Sequence, residues 1–268
     1  MTRPRYRIQF PAAESHTLEQ DEVKFTVVEN GGQAVEFRFH EYDQIYLRPG
    51  LYEQLFYDRL KCTSPTKVGE LLERSLATVG EWITELRVLD LGAGNGMMGE
   101  RLKNKHGVAR LVGADIIAEA RDAAYRDRPD VYDDYFVADF TDLSDEDTEK
   151  LQDWSFNCLR SVAALGFGDI PPRAFFNSLR LIREGGWVAF NIKETFLDRS
   201  DQSGFSRFIR ELIFSEYLDV FHIERYKHRL SMEGTPLFYF ALVGKKTAEF
   251  PDDVLKQSGV GEEVSGGE

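Results

Sequence analysis

The stretch VLDLGAGNG, Val88 to Gly96, decides how the rest of the chain reads. Apolar residues around Asp90 run into Gly92, Gly94 and Gly96, the pattern of a strand that breaks into a tight turn ahead of a helix. A turn of that kind can hold the phosphates of ATP, the pyrophosphate of a dinucleotide, or another ligand. A phosphate loop needs G-x-x-x-x-G-K-[ST], and neither Lys-Ser nor Lys-Thr follows these glycines. A dinucleotide turn needs G-x-G-x-x-G, whereas here Met97 follows Gly96 and the third glycine comes one position early. What remains is acid-x-Gly-x-Gly-x-Gly, from Asp90 to Gly96.

Outward from this turn, strands and helices alternate from Thr63 to about Lys246. TSPTKVGELLERSLATV (63–79) opens with a capping residue, Thr63, and a proline suited to a first helical turn. Its Val68, Leu71, Leu72 and Leu76 fall on one helical face. After RVLDL come a helix in NGMMGERLKNK, a strand in ARLVGAD, a helix in IAEARDAAYRDR and a strand in YDDYFVAD. The acidic SDEDTEKLQ follows, then a strand in SFNCLRSVAAL, a helix in PPRAFFNSLRLI, a strand in GWVAFNI and a helix in SGFSRFIRELIFSEY. LDVFHIERYKHRLS and LFYFALVGKK, joined by MEGTP, form a closing hairpin. Repeated βα units predict an α/β fold: a seven-stranded, mostly parallel sheet with helices on both faces and one antiparallel strand.

The segments outside this domain differ in composition. Residues 1–62 read as an appendage: EVKFTVV (22–28) and AVEFRFH (34–40) alternate as strands, and ENGGQ between them predicts a hairpin turn. An aromatic stretch follows, with Tyr42, Tyr46, Tyr52, Phe56 and Tyr57. These rings fit either a lid over a bound ligand or simple glue between appendage and core. Residues 247–268, polar, acidic and glycine-rich, read as a loose tail.

Bulk properties narrow the class. A 268-residue chain that is 42% hydrophobic can bury a sizeable core. Its net charge of −13 argues against a nucleic-acid partner held by bulk electrostatics. No apolar run approaches the length of a membrane span, and the N-terminus has no apolar core of a secretory signal. Cys62 and Cys158 stand in no metal spacing, so a reduced, cytoplasmic protein without a metal site is expected.

The motif from Asp90 to Gly96 resembles the first motif of the class I S-adenosylmethionine-dependent methyltransferases, which stands at the end of their first strand. That cofactor carries no phosphate, and a bare turn through Gly92, Ala93, Gly94, Asn95 and Gly96 lets its methionyl part lie against the backbone. Asp90 suits the ammonium or the water around it. LVGADI ends a second strand at Asp115, where an acid can accept both ribose hydroxyls, although an acid there also serves as a helix cap; Ile116 can lie on the adenine face. The resemblance implies Asp139 near the adenine amino group, Phe140 beside the ring, and Ser161, Val162 and Ala163 under the cofactor. REGGWVAFNIKE resembles the family's Gly-Gly turn before the fifth strand. The resemblance covers about residues 65–246 and implies the Rossmann-like methyltransferase fold, with S-adenosylmethionine as cofactor and S-adenosylhomocysteine as product.

The acceptor is less legible. Amide- and adenine-directed members carry Asn or Asp followed by Pro-Pro and an aromatic; in DIPP (169–172) Ile170 separates the acid from Pro171 and Arg173 follows. A nucleobase target is therefore discounted, and a small-molecule acceptor expected, with Tyr42, Tyr46, Tyr52 and Tyr57 as its candidate contacts. A protein methyltransferase and a non-catalytic cofactor-binding protein are the alternatives. His222 and His228 lie in the sixth strand region, and no residue stands out as a base.

Overall fold

A computed structural model of the chain describes residues 4–11, 23–28, 32–166, 169–251 and 253–260. The turn at 29–31, part of the loop after the fourth core strand (167–168) and the final eight residues of the expected tail lie outside the described residues.

The sheet follows the expected plan. β4 (Arg87–Leu91), β5 (Arg110–Asp115), β6 (Asp134–Val137), β7 (Cys158–Ser161) and β8 (Trp187–Lys193) are parallel, and β9 (Leu218–Leu230) and β10 (Pro236–Lys246) are antiparallel. Their order is β6-β5-β4-β7-β8-β10-β9. The chain steps outward from β4 to β6, then returns to pair β7 with β4. Loops diverge at that switch point, leaving a crevice beyond the carboxyl ends of the strands.

Strand alternation supplies two cores. Val88 joins Val68, Leu71, Leu72 and Leu76 of α3 (Ser64–Thr78) on one face. Leu89 and Leu91 face Phe175, Phe176 and Leu179 of α7 (Pro172–Arg180) and Phe208 of α8 (Phe205–Phe214) on the other. α4 (Met97–Arg101) leaves the glycine turn and continues as a π-turn to His106, while α5 (Ala118–Asp127) and α6 (Asp145–Asp153) complete the crossovers.

The appendage is a three-stranded sheet, with β1 (Arg7–Gln9) added to the expected pair β2 (Lys24–Val28) and β3 (Ala34–Arg38). Its core of Ile8, Phe25, Val27, Phe37 and Phe39 is completed by α1 (Tyr42–Tyr46) and by α2 (Leu51–Glu53), which runs on as a π-turn to Arg59. Two seams join it to the domain. On α5, Arg126 donates to the Tyr46 carbonyl at 3.0 Å. Just beyond it Arg128, 4% exposed, pairs with Glu53 at 2.7 Å. On β9, Leu230 N–H donates to Leu60 and Thr63 N–H donates to His228.

Two expectations change. Thr63 stands at the N-cap of α3 as expected, but its side chain makes no cap hydrogen bond: the hydroxyl donates to the Lys227 carbonyl at 2.7 Å, stitching the appendage to β9. The loose tail is not loose over its described part. Buried Lys246 binds the Ile182 carbonyl and Glu249, and Phe250 and Val254 enter the core beside Phe176 and Phe208. Val254 opens a short helix, α9 (Val254–Gln257). Two apolar side chains four positions apart outweigh the polar average of their surroundings. Among the described residues no helix is long and apolar enough to cross a membrane.

Candidate active site

The glycine turn departs from β4 through three left-handed residues, Gly92 (φ +72°), Gly94 (φ +55°) and Gly96 (φ +83°). Gly92 and Ala93 both donate to the Ala114 carbonyl, locking the turn against β5. A Cβ on Gly92 would stand 2.5 Å from the Ala164 Cβ and 2.9 Å from Ile170 Cδ1, and one on Gly94 would stand 2.5 Å from the Tyr46 hydroxyl. Conformation and space thus both require glycine. The bare surface expected over the turn is therefore partly roofed by protein: Ala164, Ile170 and Tyr46 lie on it.

The two acids of the motif part company. Asp115, at the end of β5, accepts from Gly94 N–H at 2.9 Å through Oδ2 and from Ile117 N–H at 3.1 Å through Oδ1. It thus ties the glycine turn to the approach of α5 and forms part of the cavity wall. Burial raises its carboxyl pKa, and these backbone hydrogen bonds oppose the shift. Asp90 does not reach the cavity. It is 1% exposed and accepts from the Tyr132 hydroxyl at 2.8 Å, opposite Arg160 on the neighbouring strand. Burial pushes its carboxyl up to about 6 against the pull of Arg160. The cause is strand alternation, which sends Asp90 to the face of Val88, away from the mouth formed where β4 ends.

A cavity of about 320 Å³ opens at the carboxyl ends of β4 to β7. Of the expected cofactor residues it brings together Gly92, Asp115, Ile116, Asp139, Phe140 and Val162, and from the appendage Tyr42, Tyr46 and Tyr52. Ala93, Gly94, Asn95, Gly96 and Ser161 do not line it. Asn95 and Ser161 are buried, and Gly96 packs against Tyr132 and Arg128. Tyr57 also stays outside, packed within the appendage core. Asp139 is exposed and accepts from Thr141 N–H and Oγ1, which holds its carboxyl below the usual range.

Ala163 separates this cavity from a second chamber of about 30 Å³. It is left-handed (φ +60°), an unusual state for a residue with a Cβ. Its N–H donates to Asn191 Oδ1 at 2.6 Å; Asn191 Nδ2 donates to the Tyr226 hydroxyl at 2.8 Å. Ser64 then joins Tyr226 to His228 Nδ1. This buried network from α3, β8 and β9 fixes the junction. Tyr42, Tyr52, Ala163, Ala164 and Asp169 line both spaces. The small chamber adds His40, Cys62, His228 and Arg229. His40 Nδ1 lies 3.4 Å from Asp169, and His228 is 3% exposed with its imidazole held neutral by burial and then by Arg229. His222 lies away from both spaces and meets the Phe221 carbonyl.

Residues 89–190 match the family model described as a methyltransferase domain. That match supports an enzyme that uses S-adenosylmethionine as methyl donor. Solved structures are similar to the chain. The N-methyltransferase NodS from Bradyrhizobium japonicum, in complex with S-adenosylhomocysteine, superposes with a TM-score of 0.51 at 14% identity, over 78% of this chain and 98% of that one. Magnesium protoporphyrin IX methyltransferase from Synechocystis, with bound S-adenosylmethionine, gives 0.48 at 11% identity over 68% and 79%. A putative RNA methyltransferase from Pyrococcus horikoshii gives 0.49 at 16% identity over 68% and 84%. No curated protein matches the sequence.

The cavity residues fit S-adenosylmethionine. Each Asp115 oxygen accepts one N–H and retains lone-pair capacity for a hydroxyl. Ile116 and Phe140 offer apolar surface to a flat ring, and the volume lies within the range of small-molecule sites. Sequence reasoning missed His40, Asp169 and Arg229 because 129 residues separate the first two and Arg229 sits in a strand of alternating charges. The aromatic stretch beside His40 was the only pointer to that region.

Proposed function

We propose that the chain methylates a small-molecule acceptor enclosed between the domain and the appendage. The observation that carries this reading is the roof: Tyr42, Tyr46 and Tyr52 line the cavity from the appendage side, where a protein acceptor would need an open groove. In this reading Asp115 takes the ribose hydroxyls, Ile116 and Phe140 flank the adenine, Asp139 lies near its amino group, and Gly92 and Val162 border the methionyl end. The cofactor supplies a methyl group on a sulfonium, already a good leaving system. The chain's own work is then alignment and exclusion of water, tasks suited to rigid rings.

The test has two arms. Calorimetry should register S-adenosylhomocysteine and not NAD. With methyl-labelled cofactor and a cell extract, label should enter the low-molecular-mass fraction; label confined to protein would move the reading to a protein methyltransferase. Cofactor binding without transfer to any fraction would make the chain a binding protein.

A further inference from the structure

Three arginines are buried among the described residues, and their surroundings differ. Arg128 pairs with Glu53 and Glu100. Arg160 lies beside Asp90 in the sheet and lines neither space of the site. Arg229 is 4% exposed, makes no ion pair with a described residue, and gives one hydrogen bond, from Nη1 to the Leu230 carbonyl at 2.9 Å. Its guanidinium stacks over Phe39 with 4.7 Å to the ring centroid and forms part of the wall of the small chamber.

A guanidinium cannot shed its proton, and a buried charge without a counter-ion is costly. Asp169, the only acid among the described residues of the chamber wall, is engaged with His40. Arg229 also reaches this position by a local irregularity. Opposite β10, Leu237 pairs with Arg229 and Phe238 with Lys227, so His228 is an extra residue in a β-bulge. Neighbouring residues of a regular strand point to opposite faces, yet here both His228 and Arg229 are buried and line the chamber. Bulges re-aim side chains beside active sites. The charge is felt throughout the wall: it opposes the burial-driven rise of the Tyr42, Tyr52, Tyr239 and Cys62 pKa values.

We infer that the small chamber binds a carboxylate of the methyl acceptor on Arg229, with the body of the acceptor lying in the large cavity against Tyr42 and Tyr52. A chamber of about 30 Å³ admits an end group of a few atoms and not a ring, so it selects for the anionic end. Planar, bidentate capture of a carboxylate is the task for which arginine is better suited than lysine. The substrate class is then a small carboxylic acid whose methylated atom lies beyond Ala163, on the cofactor side. The inference rests on the small-molecule reading above.

Ligand-observed NMR titration of the full chain with phenylacetate and its uncharged isostere phenylacetamide tests it. The acid should bind at least tenfold tighter than the amide. Arg229→Met should erase the preference while leaving S-adenosylhomocysteine affinity unchanged, and Arg229→Lys should keep part of it. Equal binding of acid and amide to the unaltered chain, or a preference that survives Arg229→Met, overturns the assignment. Should Arg229→Met fail to fold, the acid–amide contrast in the unaltered chain and in Arg229→Lys decides. Failure of S-adenosylhomocysteine to bind the unaltered chain would instead strike the cofactor reading, which the acid–amide comparison does not use.

Discussion

The two spaces on either side of Ala163 are made of different material. The floor of the large cavity is made of backbone turns and side chains at the carboxyl ends of parallel strands, Asp115 among them, with Tyr42, Tyr46 and Tyr52 above. The small chamber adds ionisable side chains that the large cavity lacks, His40 and Cys62 from the appendage and His228 and Arg229 from the bulged β9. A parallel sheet offers the same switch-point geometry whatever its acceptor, so the first space can serve a shared ligand. The second is assembled from elements that the fold does not require, and it can carry specificity.

The sharpest way to break this contrast is at the turn. Gly94→Ala forces a left-handed alanine into the Tyr46 hydroxyl and should weaken S-adenosylhomocysteine binding by about 3 kcal/mol, roughly a hundredfold. Acid–amide discrimination in the small chamber should survive. Calorimetry of a folded variant reads the first effect, and unchanged affinity would mean that the turn does not shape the cofactor site.

Next in size is the response to pH, which differs in sign between the two regions. Asp90, beneath the turn, titrates at about 6 in the folded chain, above its ordinary 3.8. Its protonated form is therefore favoured by folding, and its contribution is complete below about pH 4 and lost as pH rises to about 6, about 3 kcal/mol in all. His228, beside the small chamber, is lowered well below its ordinary 6.5, so its contribution is present above that pH and is lost as pH falls. Denaturant midpoints across pH 4–8 should lose the Asp90 limb in Asp90→Asn and the acid-side limb in His228→Gln. Matching profiles in both variants would remove these groups from the balance.

Asp115→Ala should cost about 1–3 kcal/mol of cofactor affinity, since it removes a hydroxyl acceptor and leaves Gly94 N–H without its partner. A folded variant with unchanged affinity would take Asp115 out of the site. The smallest effect expected is in the roof. Hydrogen exchange at residues 41–57 should slow on addition of S-adenosylhomocysteine. Protection confined to 88–97 and 111–118 would leave the tyrosines as glue between appendage and domain.

Legibility follows the same division. The glycine turn, the alternation of strands and helices and the place of Asp115 at a strand end could be read in the sequence because each depends on neighbours within one βα unit. The orientation of Asp90 was misjudged because a motif gives spacing, whereas strand parity decides which face a side chain meets. Tyr57 was grouped with the other tyrosines by proximity, but the π-turn from Gln54 to Arg59 carries it into the appendage core. Phe250 and Val254 were hidden by polar surroundings. His40, Asp169 and Arg229 meet only through tertiary structure, and the bulge at His228 defeats the alternation that would have turned Arg229 outward.

The seam at Thr63 also sets an order of events during synthesis. Its hydroxyl and N–H bind Lys227 and His228, with a sequence separation of 164 to the former. At ribosomal speeds of about 5–20 residues per second, the appendage waits roughly 8–30 s between its own emergence and that of the strand on which it rests. The turn at Gly92–Gly96 and its partner strands are already out by then. A nascent chain can thus build its shared cavity first, whereas the chamber that distinguishes one acceptor from another closes only after β9 has emerged.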